Sequence, residues 1–141
     1  APGIYAADRL PLARLEQRLP ALSADEDVFT NHIHADDLAA ACRAAIRRGA
    51  ANRAYNAVDD SDLKMADYFD RVAAAFHLPR PPRLPLAQLA QAVSASQLSF
   101  MRESRRIGNR RLKTELKLRL AYPTVDAGIA EALSRRNACS S

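Results

Sequence analysis

Two short β-prone runs stand among several helical ones in this 141-residue sequence, and that imbalance restricts the architecture more than anything else in it. Residues 1–6 form one run, where Ile4 and Tyr5 suit a pleated, half-buried position. Arg53 to Val58 forms the other, closed by Asp59 and Asp60. A third, weaker alternation over Val28 to His34 puts Phe29, Asn31 and Ile33 on one face. Two isolated short strands make no stable sheet, and an unpaired apolar edge invites another chain. Either the strands pair with a second copy, or this sequence is the back end of a larger α/β protein.

The helices are better marked. Leu12, Leu15 and Leu19 recur at helical spacing between Pro11 and Pro20, leaving Arg14, Glu16 and Arg18 on the wet side. From Asp36 to Arg48, Leu38, Ala41, Cys42, Ala45 and Ile46 form an apolar stripe. Asp36 is the predicted N-cap, Asp37 complements the helix dipole, and Gly49 is predicted to end the helix in a left-handed conformation. A second long helix is predicted over residues 63–77, with Met65, Phe69, Val72, Ala73 and Phe76 inward. Pro79, Pro81, Pro82 and Pro85 hold the following connection extended. Shorter helices are predicted from Leu86, after Asn109 and after Thr124, the last two residues as N-caps.

Length predicts one domain over residues 1–141, and an apolar fraction of 48% suits a soluble globular protein. No run reaches the roughly 18 to 20 apolar residues of a membrane span, and the first residues lack a basic, then apolar, signal pattern. Cys42 and Cys139 make no disulfide framework, so a reduced, cytoplasmic setting is the expectation, with Cys42 as a small core residue. Of the net charge of +5, residues 102–119 supply +6, with eight Lys/Arg against Glu103 and Glu115. That stretch is either a solvated helix face or an anion contact. A basic module binding nucleic acid is disfavoured, because only Phe100 and Tyr122 lie near it and no helix-turn-helix pattern exists.

His32 and His34 point to the same face of a strand, as metal ligands can, but no Cys or spare carboxylate accompanies them. No metal site is predicted; His34 is read as bonded to backbone or as a substrate contact. Ser104 has no relay near it for nucleophilic catalysis.

Pro2-Gly3-Ile4-Tyr5 with Arg9, then Ile33 to Ala39, then Tyr55 to Asp59, then Ser104 to Leu116 stand in an order that resembles the extended short-chain dehydrogenases/reductases, the NAD-dependent epimerase/dehydratase family. Pro2-Gly3-Ile4-Tyr5 with Arg9 is similar to their Pro-Gly-x-x-Tyr-Gly-x-x-Arg segment, and Ile33-His34-Ala35-Asp36-Asp37-Leu38-Ala39 to their His-Val-Asp-Asp-(Leu/Val)-Ala motif. Tyr55-Asn56-Ala57-Val58-Asp59 resembles the strand that follows. Ser104-Arg105-Arg106-Ile107, Asn109, Leu112-Lys113 and Glu115-Leu116 resemble a late helix before the closing Tyr-Pro. The family's Gly-rich dinucleotide turn and its Tyr-x-x-x-Lys pair are both absent here.

The resemblance therefore implies a helix-rich α/β chain of two or three short strands and about five helices, with the Rossmann core mostly absent. It would be the C-terminal, substrate-binding part of such an enzyme, with no catalytic residue of its own. Strands 1–6 and 54–58 would be neighbours in the parent's parallel sheet. Pro2, Gly3, Ile4 and Tyr5 would lie by the nicotinamide; Arg9, Asn31, His34, Arg102, Arg105 and Arg106 would face the substrate. NAD or NADP would belong to the full-length parent and not to this chain alone. The implied partners are the N-terminal Rossmann half, a small sugar-nucleotide-like or other hydroxy/keto substrate, and, in its absence, a second copy docking on unpaired strands. Two departures stand out: Ala6-Ala7 replaces the usual Gly-Pro or Gly-x, and Thr30 stands where many sugar-nucleotide epimerases carry an arginine. A non-catalytic, cofactor-sensing or interaction relative of the same fold is the alternative.

Overall fold

The computed structural model describes residues 3–139. In chain order the first elements are β1 (Gly3–Tyr5), α1 (Leu12–Glu16), β2 (Ala21–Leu22), β3 (Phe29–Thr30), β4 (His32–His34) and α2 (Ala35–Arg48). There follow β5 (Leu63–Lys64), α3 (Met65–Ala75), β6 (Arg83–Leu84), α4 (Leu86–Ala92), α5 (Ala95–Met101), α6 (Arg110–Thr114) and α7 (Val125–Cys139). The chain divides into two compact units, and each is built from separated segments. The first comprises Ala1–Arg9, Asn31–Ser61 and Arg106–Ser141; the second comprises Leu10–Thr30 and Asp62–Arg105.

In the first unit β1 and β4 run parallel, with Gly3 opposite His32, Ile4 opposite Ile33 and Tyr5 opposite His34. All three residues of β4 are buried, the pattern of a strand covered on both faces. The core gathers Ile33, Ala41, Ala44, Leu112, Leu116 and Leu120. Helix α2 turns Asp37, Ala41 and Ala44 inward, so the expected stripe is shifted: Cys42 is exposed and Ile46 is 87% exposed. The rotation follows Asp37, whose buried carboxylate accepts the backbone N–H groups of Ala121 and Tyr122, each at 2.8 Å. The helix ends at Gly49 with φ −67°, not left-handed as expected. Glycine is needed there for a different reason: a Cβ would fall within 3.0 Å of the Ala45 carbonyl oxygen.

The strand expected at 54–58 forms no ladder, and the neighbour of β1 is β4. The segment's backbone is bound by side chains instead. Asn109 Nδ2 donates to Val58 O at 2.9 Å and Arg111 donates to Ala54 O at 3.3 Å. Asn109 thus occupies the N-cap position of α6 without capping it. Thr124 does act as expected, its Oγ1 accepting from Ala127 N at 3.4 Å at the start of α7.

In the second unit β2 pairs parallel with β6 and β3 pairs antiparallel with β5. Leu22, Val28, Leu89 and Met101 form its core. Helix α3 buries Ala66, Tyr68, Phe69, Val72 and Ala73, close to the periodic expectation. Arg14 is not on a wet face: its guanidinium lies 4.9 Å over the Phe69 ring and donates to Pro20 O, and burial lowers its pKa. Helix α5 is an addition to the expected set, opened by a reciprocal pair in which Ser94 Oγ accepts from Gln97 N and Gln97 Oε1 accepts from Ser94 N. Among the described residues no helix is long and apolar enough to cross a membrane.

Candidate functional site

The parallel strands β1 and β4 end side by side at Tyr5 and His34, and the site grows from that pair. Tyr5 is only 2% exposed; its hydroxyl donates to Thr124 O at 3.2 Å, and its ring meets His34 edge-on at 5.3 Å between centroids. Tyr122 covers the other side of His34 at 3.8 Å. A Cβ on Gly128 would come within 3.0 Å of the Tyr5 ring, so α7 passes this close only because that position is glycine.

His34, not Asp36, caps α2. Its Nδ1 accepts the backbone N–H of Asp36 at 3.2 Å, with the Asp36 carboxylate 3.7 Å away. A ring nitrogen that accepts carries no proton, which leaves Nε2 as the ring's N–H. Nε2 is buried without a hydrogen-bond partner, and so is Glu131 Oε2, whose other oxygen pairs with Arg135. Both residues line one cavity of about 120 Å³, together with Ala6, Ala7, Asp8, Asp36 and Arg135. A space of that volume is large enough for water or a small polar ligand. Its wall includes the His34 ring and the Glu131 carboxylate. Among the described residues, no three His, Cys, Asp or Glu side chains are grouped to hold a metal.

The other expected site residues divide. Pro2 lies outside the described residues. Gly3 is exposed, and a Cβ there would press on Asn31 O at 3.3 Å; Ile4 is 40% exposed. Arg9 is exposed, follows the cavity residues in a turn closed by its N–H to Ala6 O, and makes no side-chain bond to a described residue. Asn31 is buried, its Oδ1 accepting from Ile107 N at 2.9 Å. Arg106 is exposed and belongs to the same unit. Arg102 and Arg105 belong to the other unit, where Arg105 pairs with Glu103 at 2.9 Å and donates its backbone N–H to Phe29 O. Ser104 Oγ accepts from Phe29 N at 3.2 Å, a structural role. Tyr5, Asn31, His34 and Arg106 therefore share one unit with Arg9, and Arg102 and Arg105 do not.

Sequence reasoning missed Glu131 and Arg135. Their i, i+4 spacing marks an ion pair, but nothing local reveals that α7 brings it to the end of β4. His32 and Asp59 are buried in the same unit, a burial that the sequence reading did not foresee. Burial lowers the His32 pKa to about 4 and raises that of Asp59 to about 6, and the two backbones meet where Asp59 N donates to His32 O at 2.7 Å.

No family model and no curated protein matches the chain. Solved structures do. A functionally unknown conserved protein from Silicibacter pomeroyi is 26% identical with a TM-score of 0.81, over 95% of this chain and 47% of its own. The human epimerase family protein SDR39U1 (isoform 2), solved with NADPH, is 18% identical with a TM-score of 0.75, over 94% of this chain and 46% of its own. A nucleoside-diphosphate-sugar epimerase from Pseudomonas aeruginosa, PA4631, is 21% identical with a TM-score of 0.70, over 92% of this chain and 42% of its own. The chain spans about half the length of these proteins. It has the helix-rich α/β fold of the C-terminal part of epimerase-type short-chain dehydrogenases/reductases, and the resemblance carried by the motifs is borne out at the level of fold.

Proposed function

We propose that this chain is the substrate-binding portion of an NAD(P)-dependent epimerase, dehydratase or reductase, a parent enzyme that moves hydride between nicotinamide and a small hydroxy or keto substrate. The observation that supports the reading most is the cavity at the ends of β1 and β4. There the His34 ring and the Glu131 carboxylate, each with a buried polar atom that has no protein partner, line the space next to the Ala6–Asp8 turn. In open α/β sheets ligands bind outside the carboxyl ends of parallel strands, which is where this cavity lies. A hydroxyl-bearing substrate supplies both an acceptor and a donor for such a pair. Arg9, at the exposed end of the turn, is the cation nearest in sequence for an anionic substituent.

The residues present do not fit a dinucleotide by themselves. A pyrophosphate cradle needs closely spaced, open glycines in the turn that starts a helix. Here Gly3 abuts Asn31 and Gly128 is filled by the Tyr5 ring, Gly49 closes α2, and Gly108 stands alone. No step through the cofactor is derived from this chain. In this reading the cofactor half is the partner of β1, whose Ile4 is 40% exposed; without it the chain self-associates through that edge. Fluorescence titration tests the reading: the chain alone leaves NADH and NADPH emission unchanged, and joining it to the coding sequence upstream of Ala1 restores binding and turnover. Micromolar NAD(P)H affinity of the chain alone, or an upstream sequence without Tyr-x-x-x-Lys, would overturn it.

A further inference from the structure

The net charge of the protein is confined to one unit. The segments Leu10–Thr30 and Asp62–Arg105 carry eight Lys/Arg and eight Asp/Glu, whereas the other unit carries thirteen against eight. Part of that excess converges. Arg43, Arg47 and Arg48 of α2 line a cavity of about 150 Å³ whose floor is Ala40, Ala44 and Leu118. Among the described residues none of the three guanidinium groups has an ion pair or hydrogen bond, and no carboxylate stands three or four residues away on the helix. Leu118 lies between Lys117 and Arg119, both exposed.

A helix C-terminus accounts for only part of this arrangement. Arg47 and Arg48 sit in the last turn, where the dipole favours cations. Arg43 lies a turn further in, and Arg43 and Arg47 are like charges at i, i+4, a spacing that disfavours the helix unless an anion lies between them. The alanine floor lets an anion approach the helix surface, and planar guanidinium forks match phosphoryl oxygens. The cavity holds one or two phosphoryl groups and has no aromatic platform for a nucleic-acid base.

From the three unpaired arginines around one depression, we infer that this face binds a compact phosphate-type polyanion. The site is separate from the His34 cavity and does not rest on the function proposed above. Inorganic pyrophosphate is the probe, titrated calorimetrically into the whole chain. Binding is expected to weaken about tenfold or more in Arg43→Gln and in Arg47→Gln, less in Arg43→Lys, and to weaken with salt, as charge pairing requires. Arg110→Gln, an exposed arginine outside the cavity, is expected to bind as the parent does. In the unsubstituted chain, pyrophosphate should protect Arg43, Arg47 and Arg48, but not Arg110, from phenylglyoxal, read by mass spectrometry. Absence of binding at millimolar pyrophosphate, an equal loss in Arg110→Gln, uniform protection, or a preference for polyglutamate over pyrophosphate overturns the inference.

Discussion

Replacing Asp59 by asparagine should stabilise the protein near neutral pH by an amount that vanishes on acidification. Asp59 is 5% exposed; its Oδ1 accepts from Ser61 N at 2.9 Å while its Oδ2 is buried without a partner. Burial, with lesser repulsion from Asp60 and Asp37, raises its pKa from 3.8 to about 6. The folded state thus holds this proton more tightly than the unfolded state. Its contribution to stability is present in full below 3.8 and lost as pH rises through about 6. Roughly two pKa units correspond to about 3 kcal/mol, an upper value because side chains relax around a buried charge. His32 has the opposite sign: its pKa falls from 6.5 to about 4, so its contribution is present above 6.5 and lost as pH drops toward 4. Between about 4 and 6 the folded state gains one proton at Asp59 and lacks one at His32, and the two slopes cancel. Asparagine keeps an oxygen for Ser61 N–H and removes the ionisation. Urea unfolding by circular dichroism at pH 7, 6, 5 and 4.5 should therefore show the Asp59→Asn advantage shrinking by about 1.4 kcal/mol per unit below pH 6. A difference that is independent of pH, or no gain at pH 7, would refute the assignment of a buried, strained carboxyl.

Three further outcomes follow from the same geometry. His34→Ala should cost about 1 kcal/mol or more through loss of the α2 cap, and Asp36→Ala markedly less, both read from urea midpoints. Gly128→Ala should destabilise by about 1–3 kcal/mol, because its Cβ meets the Tyr5 ring, and the additional change Tyr5→Leu should recover part of the loss. Asp37→Ala, which strands the N–H groups of Ala121 and Tyr122, should cost about 2–4 kcal/mol and loosen the chain between α6 and α7, seen as faster amide exchange there.

The sequence makes the long helices legible because their apolar spacing and stop residues are local. It misplaces the inward face of α2 because Asp37 is drawn in by backbone groups more than 80 residues away, which no periodicity can register. The cap at His34 depends on a ring already fixed between Tyr5 and Tyr122, so the local preference for Asp36 loses to a tertiary arrangement. Residues 54–58 have strand composition, but their backbone accepts from the Asn109 and Arg111 side chains while Asn56 Nδ2 donates to Gly108 O, and ladder pairing never forms. Helix α5 is a different kind of omission, since Ser94-x-x-Gln97 is a readable capping box. Of the candidate site, the motif located Tyr5 and His34; the acceptor on α7 needed the fold.

The interleaving of the two units also sets an order of assembly on the ribosome. Domains fold as units while the chain emerges. The second unit is complete once Arg105 has been made, whereas the first needs Leu112, Leu116 and Leu120 to cover Ile33. Until those leucines are made, β1, β4 and α2 have no finished core to join, and their apolar faces wait through the synthesis of an entire second unit. A pause in translation just before Arg106 would prolong that exposure, and a nonsense change there would leave one unit whole and the other beyond rescue.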